Sequence, residues 1–190
     1  MITLTNYQIE CIKKYGILLK ANKVDEFFQE MAENEAKNED ANLFAYMYET
    51  IPDFLTYITE IIPHGFYGVI LDALRVPDNV KKLRRESFDH CVIDVLKLSD
   101  GITEIPELAF KDCAITSLFL PKNLEIIEDH AFAFLGRCRK LYIPDTVTTI
   151  GFDTFKGCNS LVLQYNKDNT DLGNRLHYYC EYDIDRIEGI

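Results

Sequence analysis

Five phenylalanines recur along this chain at a near-constant interval. Phe66, Phe88, Phe110, Phe132 and Phe155 are separated by 22, 22, 22 and 23 residues. A period so regular, in the range of solenoid repeats, dictates the architecture of the C-terminal two-thirds before any other consideration. It also moves the question of function from a pocket to a surface.

The units align by hand. An apolar residue stands five before each Phe (Ile61, Leu83, Ile105, Ile127, Ile150) and another eight before (Ile58, Val80, Ile102, Leu124, Val147). Pro or Ser stands eleven before, at Pro77, Ser99, Pro121 and Pro144. Ahead of it lies an alternating apolar pair: Leu74-Arg75-Val76, Leu96-Lys97-Leu98, Leu118-Phe119-Leu120 and Leu141-Tyr142-Ile143. A Cys follows Phe by three at Cys91, Cys113 and Cys158, but by six at Cys138, where the unit carries extra residues around Phe134-Leu135-Gly136. Leu161-Val162-Leu163 reads as the last strand.

One such unit cannot bury its own apolar side, so its neighbours must cover it. Alternation of period two predicts strands with Leu inward and the middle residue outward. Pro directly after the strand suits a corner, since it offers no N–H to a ladder. Strands stacked about 4.8 Å apart then form one continuous sheet.

The phrases Ile105-Pro-Glu-Leu-Ala-Phe-Lys-Asp-Cys113, Leu118-Phe-Leu-Pro-Lys-Asn-Leu-Glu-Ile-Ile127 and Ile150-Gly-Phe-Asp-Thr-Phe-Lys-Gly-Cys158 resemble BspA-type leucine-rich repeats over about residues 58–163. The resemblance implies a right-handed solenoid that binds protein. Many relatives of this kind are secreted adhesins of bacteria and protozoa.

The expected fold class is α+β. A small N-terminal helical domain or cap spans residues 1–55, repeats of about five turns span 56–165, and a C-terminal cap spans 166–190. In the first segment Thr5 can cap a helix, Val24, Phe27, Phe28 and Met31 give a second apolar stripe, and Leu43, Phe44, Met47 and Tyr48 a third that Pro52 ends. Phe54, Leu55 and Ile58 would join this part to the first repeat. In the tail, Tyr178 or Tyr179 and Ile184 are expected to cover the last strand.

A net charge of −11 argues against general phosphate binding, which needs clustered cations. No basic start followed by an apolar stretch marks a secretory signal, and no apolar run is long enough to span a membrane. These features predict a cytoplasmic protein, or a secreted one if a leader precedes residue 1. Four of the six cysteines occupy the repeat position and read as small buried, reduced thiols, leaving Cys11 and Cys180 as the accessible ones.

No cofactor, metal or catalytic site is expected. His64, His90, His130 and His177 lack the spacing of a four-ligand site with the cysteines. No phosphate-binding, dinucleotide, zinc-protease or serine-hydrolase motif occurs. What remains is the outward row Arg75, Lys97, Phe119, Tyr142 and Val162. Its cations and aromatics match the composition of protein interfaces. Two further basic clusters, Lys81/Lys82/Arg84/Arg85 and Arg137/Arg139/Lys140, read as solvated charge. The leading expectation is a non-enzymatic module that binds a protein partner through this row. The alternatives are an acidic inhibitor, of phage or mobile-element type, that mimics nucleic acid toward a host protein, and a surface adhesin.

Overall fold

The computed structural model describes Tyr48, residues 54–180 and residues 184–190. The helices expected before residue 48 lie outside the described residues. From Phe54 onward the chain is a β-solenoid. After a short 3-10 turn (Phe54–Thr56), each turn of the coil runs through a long strand, a corner, a short strand and a loop that carries the repeated Phe.

The long strands are β2 (Ile70–Arg75), β4 (Val92–Lys97), β6 (Ala114–Phe119), β8 (Lys140–Tyr142), β10 (Cys158–Tyr165) and β11 (Ile184–Gly189). They stack in parallel as two ladders, β2-β4-β6 and β8-β10-β11. The short strands β1 (Glu60–Ile61), β3 (Lys82–Leu83), β5 (Glu104–Ile105), β7 (Ile126–Ile127) and β9 (Thr149–Ile150) line the opposite side. Between long and short strand, the carbonyls of Pro77, Ser99, Pro121 and Pro144 accept from the N–H three residues on, so each is the first residue of a tight turn. Side chains tie corner to corner: Asn79 Nδ2 donates to Leu55 and Ile58 O, Asn123 Nδ2 to Asp100 O, and Thr146 Oγ1 to Lys122 and Leu124 O.

The Phe loop uses a second kind of ladder. N–H groups alternate between two jobs. Those of Gly65, Tyr67 and Val69 close local turns three residues back, whereas those of His64, Phe66 and Gly68 donate to Glu86, Ser87 and Asp89 of the next turn. The pattern repeats along the stack, as with Phe88 N to Ala109 O and Phe110 N to Ala131 O. The geometry requires positive φ at both flanks of each Phe. Two residues before it stand His64, Glu86, Leu108, His130 and Asp153; two after stand Gly68, His90, Asp112, Phe134 and Gly157. Only two of these ten are glycine; five are His or Asp, which tolerate the left-handed region better than most side chains, and Glu86, Leu108 and Phe134 are held there by the stack.

The five Phe rings form a continuous column. Successive centroids lie 5.1, 5.1, 5.4 and 5.4 Å apart, with planes within 14° of parallel. Tyr48 packs edge-on against Phe66 at 6.1 Å. Every Phe of the column is buried, with Ile and Leu of both strand sets around it, and Phe54, Leu55 and Ile58 join the same core.

The residue before each Phe is small: Gly65, Ser87, Ala109, Ala131 and Thr154. Thr154 Oγ1 donates to Gly151 O at 2.7 Å, but the buried Ser87 Oγ has no partner among the described residues. An unpaired buried hydroxyl is destabilising, and the equivalent Ala109 and Ala131 show that a methyl fits. Ser87→Ala is therefore expected to stabilise the fold by about 1 kcal/mol and to raise the melting temperature by roughly 2–4 °C. A lower melting temperature would show that the hydroxyl is bonded.

Two expectations need correction. The coil has about six turns rather than five, because β11 adds a strand in parallel register on β10 (Leu163 to Ile187, Tyr165 to Gly189). The tail that leads to it holds a helix, α1 (Thr170–Cys180), in place of a Phe loop. Asn169 Oδ1 accepts from Leu172 N at 3.1 Å and caps it. The covering residues are Leu172, Leu176 and Cys180, one apolar stripe at spacing four. Tyr178 and Tyr179 are exposed instead, Tyr178 at 78 %. They flank the stripe's outer side, where the helical period places them.

Candidate protein-binding face

The long strands carry the row of outward side chains. Cα register aligns Arg75 with Lys97 and Lys97 with Phe119 on neighbouring strands, and Tyr142 with Gln164 on the next ladder. Leu74, Leu96, Leu118 and Leu141, which precede them, are all buried, so alternation turns Arg75, Lys97, Phe119 and Tyr142 outward. Phe119 is 53 % exposed and Tyr142 43 %.

Val162 is not in this row. It pairs with Lys140 and Arg186, two residues upstream of the row, and is only 8 % exposed. The inward Leu of its turn is Leu163, which pairs with Leu141. Val162 sits mid-strand between two neighbours, where their long side chains flank it; the row position belongs to half-buried Gln164, whose Nε2 donates to Glu188 Oε2 at 3.0 Å.

The row is broken at one seam. At three seams the N–H after the row residue donates to the next strand: Val76 to Lys97 O (2.8 Å), Leu98 to Phe119 O (3.1 Å) and Ile143 to Gln164 O (2.8 Å). Among the described residues, the equivalent bond from Leu120 N to Tyr142 O is not formed, and β6 and β8 share no ladder. One residue too many separates Phe132 from Leu141: nine positions, against eight from Phe88 to Leu96 and from Phe110 to Leu118. The two turns are pinned at either end, by the Ala114–Gly136 bridge and by Thr146 Oγ1 on Lys122 and Leu124 O. Between these pins a slot of about 330 Å³ opens, lined by Leu118, Phe119, Leu120, Tyr142, Pro144 and the stem of Lys122, with Asp145 and Thr146 at its end. That volume is at the low end of sites that hold a small ligand or a side chain. Burial, together with nearby Asp145, raises the Tyr142 phenol above its ordinary range, so it stands at the rim as a neutral hydroxyl.

The face differs in charge from its surroundings. Arg75 and Lys97 form no ion pair among the described residues. The two arginines of the basic cluster at 81–85 are paired instead: Arg84 with Glu60 (2.8 Å), and Arg85 with Glu86 (2.8 Å) and Glu107 (3.1 Å). In the second cluster Arg137 reaches Asp94 at 3.8 Å.

His64, His90 and His130 occupy left-handed positions, while His177 lies in α1. His64 lies 3.1 Å from Glu86 and His130 3.6 Å from Asp153, each a carboxylate at the same position one turn on. His90 stands between Asp89 (Nδ1, 2.8 Å) and Asp112 (Nε2, 3.8 Å), and Asp112 also holds Lys111 at 3.0 Å. These contacts stitch turn to turn.

Cys91, Cys113, Cys138 and Cys158 are buried thiols. Cys113 Sγ donates to Phe88 O (2.9 Å) and Cys158 Sγ to Phe132 O (3.1 Å), so the thiols tie neighbouring turns. Burial, then the neighbouring Cys91 thiol 3.3 Å away, pushes the Cys113 thiol well above the ordinary range, which makes it a poor nucleophile. Cys180, expected to be accessible, is buried at the C-terminal end of α1. Among the described residues no helix is long and apolar enough to cross a membrane.

Comparison with known proteins agrees with this architecture. The family model of the BspA type leucine rich repeat region matches in six copies over residues 59–183. A leucine rich repeat protein from T. pallidum is similar in structure, with a TM-score of 0.52 and 26 % identity over 56 % of this chain. A leucine-rich repeat protein from Bacteroides ovatus ATCC 8483 matches over 50 % of this chain at 25 % identity and a TM-score of 0.43. The match spans about half (52 %) of the T. pallidum protein and 28 % of the B. ovatus one. No curated protein matches the chain.

Proposed function

Because this chain belongs to the BspA-type leucine-rich repeat family, we propose that it is a non-enzymatic module that binds a protein partner through the outward row Arg75, Lys97, Phe119 and Tyr142. Repeat proteins of this family generally mediate protein–protein interaction. The observation that carries the assignment to this face is the succession, on four consecutive long strands, of two cations that form no ion pair among the described residues and two exposed aromatic rings. Large rings lose little rotamer freedom on binding, and arginine and tyrosine are concentrated at energetic centres of interfaces.

The test is the double variant Phe119→Ser with Tyr142→Ser. Both rings already face solvent, so circular dichroism and the melting temperature should change little. Capture of a partner by the immobilised protein from extracts of its native host should fall at least tenfold, about 1.4 kcal/mol. Undiminished capture by a folded double variant would remove this face from consideration.

A further inference from the structure

We propose that the slot between β6 and β8 receives one bulky apolar side chain of an extended acidic segment in the partner, with carboxylates two and four residues away seated on Lys97 and Arg75. This rests on the face reading above and names the chemistry of what the face recognises.

Three independent features point the same way. The slot is apolar along its walls, through Leu118, Phe119, Leu120 and Pro144, and it opens between two exposed rings. The missing rung leaves Leu120 N–H and Tyr142 C=O without a backbone partner among the described residues, a donor and an acceptor beside the slot for a peptide amide. The charge around it is asymmetric. Its one carboxylate, Asp145, is held by Asn166 Nδ2 at 3.0 Å and Asn169 Nδ2 at 3.4 Å. Lys122 is turned to Asp100 at 3.7 Å. Arg75 and Lys97 stand in line with the slot and form no ion pair among the described residues.

Spacing fixes the pattern. Strands lie about 4.8 Å apart, so Lys97 and Arg75 are roughly 7 and 12 Å from the centre of the slot. An extended peptide rises about 3.3 Å per residue, and its alternate side chains face the same way. Residues two and four from an apolar anchor therefore arrive about 7 and 13 Å away, over the two cations. A charged rim governs orientation and partner choice while the buried anchor supplies most of the affinity.

A displayed library of random dodecapeptides tests this directly. It is selected on the wild-type protein, on Phe119→Ser/Tyr142→Ser and on Arg75→Glu/Lys97→Glu, with each variant shown to be folded by its melting curve. Wild type should enrich peptides that carry a bulky apolar residue with Asp or Glu two and four positions away. The aromatic variant should recover them at least tenfold less. The charge-reversed variant should select Lys or Arg at the same two positions. Peptides that depend on the rings but carry no acidic pair would overturn the proposal and leave the face reading intact. Peptides bound equally by all three proteins would overturn both. No enrichment on wild type would overturn the proposal alone, because capture of a folded partner tests the face separately. Retention of a fluorescent single-stranded oligonucleotide by Arg75 and Lys97 would assign these cations to phosphate and likewise overturn it.

Discussion

Replacing Phe110 by Ala is expected to cost about 3–5 kcal/mol of stability, the range for removing a fully buried aromatic side chain. The reason is its place in the column. Phe88 lies 5.1 Å to one side of it and Phe132 5.4 Å to the other, so truncation strips a stacking partner from both. The main chain around the ring is pinned by inter-turn bonds, Phe88 N to Ala109 O and Phe110 N to Ala131 O, so the site cannot collapse to fill the void. For a chain of 190 residues a loss of this size lowers the melting temperature by roughly 10 °C. Phe155→Ala should cost less, because that ring stacks on Phe132 alone within the column. A melting curve shifted by no more than a degree or two for Phe110→Ala would refute the column as the source of stability.

Gly151→Ala is the second large effect, at about 3 kcal/mol, the upper end for overpacking a tight site. The first atom of any side chain at residue 151 would lie 2.4 Å from Asp129 N and 2.5 Å from the Glu128 carbonyl carbon. Those are backbone atoms of the turn below and cannot swing aside. Gly151 N also donates to Ile127 O at 2.7 Å, and Asp129 Oδ1 accepts from Phe152 N, so the two turns are locked where the side chain would intrude. Gly157→Ala makes the control. Its clash is with the Phe134 ring, which is exposed and free to rotate away, although its φ of +74° still disfavours Ala. Equilibrium denaturation should therefore rank Gly151→Ala well below Gly157→Ala in stability; the reverse order would disprove the argument.

The repeat was legible because its marks recur at fixed offsets. Phe, the Leu pairs and the Pro or Ser corners each stand at one position per turn, and one position per turn is what stacking selects. The strand expected at Leu161-Val162-Leu163 lies within β10, but its row position stands two residues further on, at Gln164, for a physical reason. Leu161, Leu163 and Tyr165 share one parity, so alternation alone cannot tell Leu161-Val162-Leu163 from Leu163-Gln164-Tyr165. Counting five residues from Cys to the inward Leu, as from Cys91 to Leu96 and Cys113 to Leu118, would have chosen Leu163. The sixth turn was hidden because a helix replaces its Phe loop. Four row residues, Arg75, Lys97, Phe119 and Tyr142, could be oriented from alternation. The slot beside them could not, because a strand separation is set by hydrogen bonds that no single residue encodes.

The alternation of N–H groups in the Phe loop gives the chain a counting rule. Every second amide is committed to the turn that follows, so the two backbones must keep step like the teeth of a rack. Adding or removing a whole turn leaves every tooth engaged. A lone extra residue has nowhere to mesh. Between Phe132 and Leu141 the chain holds one such residue, with Arg137 in a left-handed conformation beside Gly136. The Phe column and the short strands still run through this level in step, and the miscount surfaces only on the long-strand side. The groove that gives this face its relief is thus the residue of an arithmetic error, one amino acid that the rest of the coil declined to absorb.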